Sequence, residues 1–140
     1  MTDLLNSKEI HVRRARNEEQ MVTLDDQTRT LTENNLLITN GEEGVALAGV
    51  MGGANTEVND NTKTILLEAA YFDPQTVRDA ARQTGLRSEA SNRFEKGVDP
   101  NRVEEAGIRA AQLLAQYAGG QVVSGVAAFY ELDRAEKKLR

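Results

Sequence analysis

With 140 residues, 39% of them hydrophobic, the chain is sized for one domain with a core, and its 28% charged residues suit a solvated surface. No run approaches the roughly 20 consecutive apolar residues of a membrane helix, and the charged, polar start from Met1 to Arg16 lacks the apolar middle of a signal peptide. A net charge of −5 argues against attraction of nucleic acid by the chain as a whole, and the absence of cysteine excludes disulfides and thiolate chemistry and fits a reducing cytoplasm.

Lys8 to Arg16 alternates as a strand does, with Ile10, Val12 and Arg14 on one face and His11 and Arg13 on the other. Met21 to Leu24 reads as a second strand, Asp25-Asp26-Gln27 as a turn, and Arg29 to Leu31 as the returning hairpin partner. After a turn at Thr32 to Asn35, Leu36 to Thr39 forms a third apolar strand, stopped by Asn40-Gly41. Val45 to Val50 reads as a buried strand closed by Gly52-Gly53, and Thr64 to Ala70 as another, interrupted only by Glu68.

The period then changes. Asp73-Pro74 starts a helix that Gly85 ends, and Ser88 caps a short helix running to about Phe94, with Gly97 beyond it. Asp99-Pro100 repeats the start signal. The long helix that follows places Val103, Ala106, Ala110, Leu113, Leu114 and Tyr117 on one face and ends at Gly119-Gly120. Gln121 to Tyr130 reads as a last strand, and residues 131–140 as a charged terminus or linker. The expectation is an α+β domain over residues 1–130, with mixed or antiparallel sheets in a sandwich-like arrangement and helices clustered in the C-terminal half. The first strands call for further partners, so the domain reads as truncated on its N-terminal side.

Three constellations can carry chemistry. Glu68 sits in an otherwise apolar run, where a carboxylate is costly unless bonded. It is either a structural acid or an acceptor set at a pocket edge for a ligand hydroxyl or amine. The glycines of Ala48 to Asn55 let backbone approach something closely or turn tightly, but no Gly-Lys-Ser/Thr follows to make a phosphate loop. The stretch from Gly85 to Gly97 holds Ser88, most simply a helix cap, at a helix start whose amides can also receive an ester oxygen or carboxylate. His11, the sole histidine, marks no triad with Ser88. No histidine, cysteine or carboxylate cluster has metal-ligand spacing, so no metal site is expected. Charge is uneven: residues 1–60 carry eleven acids, whereas Arg78, Arg82, Arg87 and Arg93 outnumber Asp79 and Glu89. That strip is either a solvated face or a phosphate-contacting one.

Four segments stand in order with short spacings: Leu47 to Gly53, Leu66 to Pro74, Gly85 to Ser91 and Arg93 to Pro100. Together they resemble the beta subunit of bacterial phenylalanine–tRNA ligase, in the third and fourth structural modules of that chain, over about Ile10 to Val126. The resemblance implies the editing site that hydrolyses tyrosine wrongly attached to the phenylalanine tRNA. It puts Glu68 on the position that recognises the tyrosine hydroxyl, and Gly52, Ser88 and Ala90 on positions lining the same pocket; Ser88 often corresponds to threonine in that family. Arg78, Arg82 and Arg87 become candidate tRNA contacts. It further implies the alpha subunit and the remaining beta-subunit domains as partners in a cytoplasmic heterotetramer. No cofactor is expected in this segment, since ATP and magnesium are used elsewhere in the parent. The family's upstream histidine-containing wall has no counterpart in His11, so the pocket is expected to be incomplete. The competing reading is a non-catalytic structural or RNA-docking module of the same synthetase, and a third is an accessory domain of another tRNA-modifying enzyme.

Overall fold

The computed structural model describes residues 9–130 together with Leu5 and Ser7. Six strands come first: β1 (His11–Arg14), β2 (Gln20–Val22), β3 (Thr28–Thr30), β4 (Leu36–Thr39), β5 (Gly44–Leu47) and β6 (Met51–Gly52). Three helices follow: α1 (Pro74–Thr84), α2 (Glu89–Phe94) and α3 (Val103–Ala118). All strand pairs are antiparallel, in a four-stranded sheet of order β1-β4-β5-β6 and a two-stranded β2-β3 hairpin. The α+β class, with antiparallel sheets and helices gathered in the C-terminal half, is as expected.

The core lies between the four-stranded sheet and α1. Leu31, Leu37, Leu47 and Val77 are almost completely shielded from water, and each contributes about 1.5–3 kcal/mol relative to an exposed position. α1 begins where Asp73 accepts the Thr76 amide at 2.8 Å ahead of Pro74, and it ends at Gly85, whose left-handed φ of +66° lets its amide reach the Ala81 and Arg82 carbonyls. Its inward face buries Val77, Ala80 and Ala81. Arg29 of β3 donates to the Thr84 carbonyl at 3.0 Å, fastening the hairpin to the negative end of α1.

Three expectations fail in informative ways. The predicted strand Val45 to Val50 is broken: β5 stops at Leu47, the chain turns through Ala48 to Val50, and it returns as β6 with Leu47 facing Met51. Gly49, at φ +70°, permits that turn. Thr64 to Ala70 joins no sheet, and Ile65, Leu66 and Leu67 are 47%, 46% and 41% exposed. An apolar run needs a neighbouring strand edge to become a strand, and this one belongs to neither sheet. Gln121 to Tyr130 likewise forms no strand, and its apolar residues are exposed. On β1 only Arg13 is half-buried: Val12 is 58% exposed, while the Arg13 guanidinium makes a two-pronged pair with Glu19 at 2.8 and 2.7 Å. The long helix forms as expected, but no residue of α3 is buried. Residues 131–140, expected to be a charged terminus, lie outside the described residues.

Candidate functional site

A cleft of about 760 Å³ opens between the β4–β6 region and α3. Its floor is the β5–β6 turn, and its other side is the irregular segment around Glu68. Glycine sets the floor. A Cβ on Gly49 would come within 2.8 Å of Val77 Cγ2 and 3.1 Å of the Phe72 ring, so only glycine lets the turn lie on α1 and the aromatic pair. Phe72 and Phe94 stack in a tilted arrangement with ring centres 5.2 Å apart, and both line the cleft. Gly52 lines it from β6, with Leu24 behind: a Cβ there would lie 3.2 Å from Leu24 Cδ1. The far wall depends on a third glycine. A Cβ on Gly107 would come within 2.9 Å of Ala69 Cβ, so the absent side chain is what brings α3 against the segment bearing Glu68.

Glu68, Gly52 and Ala90 line this one cleft. Glu68 is an exposed residue rather than a buried strand acid, yet the cleft wall desolvates its carboxyl and raises its pKa above the ordinary value. Among the described residues nothing forms a hydrogen bond or ion pair with it.

Ser88 does not line the cleft; it fastens the wall from behind. Its hydroxyl donates to the Val50 carbonyl at 2.5 Å and accepts the Ser91 amide at 3.0 Å, while the buried Ser91 hydroxyl accepts the Ser88 amide at 2.9 Å. This capping box starts α2 and ties it to the β5–β6 turn. The Ser91 and Asn92 amides are occupied within the cap, which leaves less of the helix start free than its sequence suggests.

Arg78, Arg82 and Arg87 share a second depression of about 580 Å³, beside Gly85 and Glu95. Two of the three are engaged there: Arg78 donates to the Glu95 carbonyl at 3.1 Å, and Arg87 lies 3.4 Å from the Glu95 carboxylate. His11 is apart from both, 3.0 Å from Glu9 on β1. Among the described residues there is no group of three or more histidine, cysteine or carboxylate side chains that could hold a metal, and no helix long and apolar enough to cross a membrane.

Sequence reasoning missed Gly107, Arg102 and Arg109, the last two being cleft-lining residues of the α3 side. A signal existed for Gly107: a mid-helix glycine costs about 1 kcal/mol against alanine and so calls for a packing reason. The arginines carried none, because a charged helix residue normally signifies only a solvated face.

The family model of the B3/4 domain matches residues 2–119. Three curated relatives, each a phenylalanine–tRNA ligase beta subunit, are similar over most of the chain. That of Oceanobacillus iheyensis is 59% identical over 136 residues, which is 97% of this chain and 17% of the relative. That of Halalkalibacterium halodurans is 61% identical over 130 residues, 93% and 16% respectively. That of Bacillus subtilis is 59% identical over 123 residues, 88% and 15%. The chain thus spans about a sixth of the length of the curated relatives it matches.

Proposed function

The chain belongs to the B3/4 domain family, and on that premise we propose that it is the tRNA-editing portion of a phenylalanine–tRNA ligase beta subunit, clearing tyrosine wrongly esterified to the phenylalanine tRNA. The physical need is specific. A synthetic pocket that admits phenylalanine rejects tyrosine weakly, because an added hydroxyl is hard to exclude. A second site that bonds the hydroxyl sorts the two, since phenylalanine leaves its polar group unpaired.

One observation carries this reading: Glu68 stands in the wall of an apolar cleft with a raised pKa and no bonding partner among the described residues. The cleft wall desolvates this carboxyl, and no protein group among the described residues bonds it in compensation. A phenol hydroxyl entering the cleft supplies the missing bond. The aromatic ring it belongs to finds Phe72, Phe94 and Ala90 on the same lining.

Hydrolysis of an ester already activated by the tRNA needs a positioned water and donors for the developing oxyanion. Ser88 is committed to the Val50 carbonyl and the Ser91 amide, which argues against its serving as a covalent nucleophile. Its part is to hold the turn that forms the cleft floor. The depression at Arg78, Arg82 and Arg87 serves as a contact for the tRNA backbone. The alpha subunit and the rest of the beta subunit are the partners in this reading, in a cytoplasmic heterotetramer.

The test is deacylation of tyrosyl-tRNA by the heteromeric enzyme carrying Glu68→Ala. Loss of one hydrogen bond made in the occupied cleft, about 1–3 kcal/mol once the ligand excludes water, predicts clearance slowed about 5- to 150-fold, with phenylalanine charging intact. Undiminished tyrosine clearance overturns the assignment.

A further inference from the structure

The cleft-facing stripe of α3 contains two arginines that the fold does not explain. Arg102 immediately precedes α3 and Arg109 lies two turns into it, with Ala106 between them on the same wall. Seven residues apart, they stand about 10 Å from each other along the helix axis. Neither is held by the protein as Arg13, Arg29 and Arg78 are, and unlike Arg16 and Arg82, which also make no side-chain bond among the described residues, both line the cleft. Arg13 is paired with Glu19, Arg29 bonds the Thr84 carbonyl, and Arg78 bonds that of Glu95. Arg102 has only Glu105 at 4.0 Å, with both side chains more than three-quarters exposed, a pairing that adds next to nothing. Arg109 makes no hydrogen bond or ion pair among the described residues. Arg102 is also a cation at the positive end of the α3 dipole, an unfavourable place for the isolated fold.

We propose that Arg102 and Arg109 bind the phosphodiester backbone at the 3′ end of the aminoacylated RNA, holding it at the cleft mouth while the amino acid occupies the apolar interior. This rests on the editing reading above and adds to it the residues that seat the nucleotide side of the ester. Glu68, Asp99 and Glu105 share the wall, so its carboxyls outnumber its arginines by one and it attracts no anion from a distance. Its arginines act at close range, where the planar guanidinium offers a phosphate two parallel donors. Asp99 is already engaged, accepting the Asn101 amide at 2.9 Å.

The test uses the heteromeric enzyme with Arg102→Gln and Arg109→Gln together, and a short single-stranded RNA whose 3′ end carries tyrosine through a stable amide. The Kd for this probe is expected to rise about 10-fold, that for free tyrosine to stay the same, and the slope of log Kd against log salt to fall by about 0.7 for each phosphate that the variant no longer neutralises. In clearance of tyrosyl-tRNA the KM rises while kcat stays within about twofold, and lysine at both positions restores part of the affinity. An unchanged Kd and salt slope, or an equal loss for free tyrosine, overturns the inference. Glu68→Ala separates the two ideas: if the enzyme then still prefers tyrosyl to phenylalanyl probe, the editing reading fails whatever the arginines do. If that preference vanishes while the arginine variant binds normally, only the inference about the arginines fails.

Discussion

Gly49→Ala tests the reasoning about the cleft floor with one methyl group. Two separate costs are built into the site. The backbone sits at φ +70°, where an L side chain crowds its own carbonyl, at roughly 1–2 kcal/mol. The new Cβ would also lie 2.8 Å from Val77 Cγ2, 3.1 Å from Phe72 and 3.4 Å from Phe94, all in the core or packed on it. Overpacking of that kind costs about 1–3 kcal/mol. The sum is about 2–5 kcal/mol, a large part of the roughly 5–15 kcal/mol that keeps a domain folded. Gly85→Ala supplies the control, because its φ is +66° and nothing lies within 4 Å of the added atom. It should lose only the backbone share, about 1–2 kcal/mol. Urea denaturation of the two variants, followed by circular dichroism, measures the difference. Equal losses in both would refute the claim that the turn is pressed against α1 and the aromatic pair.

The Arg13–Glu19 pair makes a pH prediction. Glu19 is held down to about 2 from 4.5, first by the Arg13 hydrogen bonds. A carboxyl whose folded pKa lies below its unfolded one favours folding above the unfolded value and loses that contribution as pH falls through the folded one. Glu19→Gln should therefore cost about 1–3 kcal/mol near neutral pH, with the gap to the unmodified chain closing between pH 4.5 and 2 in denaturation series. Ser88→Ala removes an N-cap and the bond to the Val50 carbonyl, a loss of about 1–3 kcal/mol. Ser88→Thr keeps the hydroxyl and should stay within about 1 kcal/mol in the same assay. Arg78→Ala with Arg82→Ala should leave the fold assembled and weaken tRNA-dependent editing in the heteromeric enzyme; unchanged editing kinetics would make that depression a solvated face.

The helices were legible because their signals are local. Asp73, Pro74 and Gly85 punctuate α1, and the Ser88–Ser91 box starts α2, with partners no more than a few residues away. β4 was legible for the same reason, a short apolar run closed by turn residues. The failures share the opposite cause. Whether Thr64 to Ala70 or Gln121 to Tyr130 becomes a strand depends on an edge elsewhere in space, which neither composition nor alternation reports. The half-burial of Arg13 depends on Glu19 reaching back to it across the turn after β1. Of the site, Glu68 drew notice because an acid in an apolar run is anomalous anywhere. Arg102 and Arg109 did not, because their significance lies in the bonds they do not make within the fold.

These two kinds of failure meet at the cleft. One wall is the sheet and the aromatic pair, built on side chains that are almost fully shielded. The other is α3 and the extended segment before Phe72, in which little is buried and α3 comes close enough at Gly107 that an added Cβ would meet Ala69. Glu68, Arg102 and Arg109 all belong to this second wall. Residues there contribute little to the core, so substitutions at them are expected to be tolerated by the fold and felt by the ligand. A firm wall that sets shape and a weakly packed wall that presents charge suit the proposed editing role, in which a bulky RNA end is accepted and then released, since the elements that touch a mobile ligand are drawn from the least stabilised part of a structure.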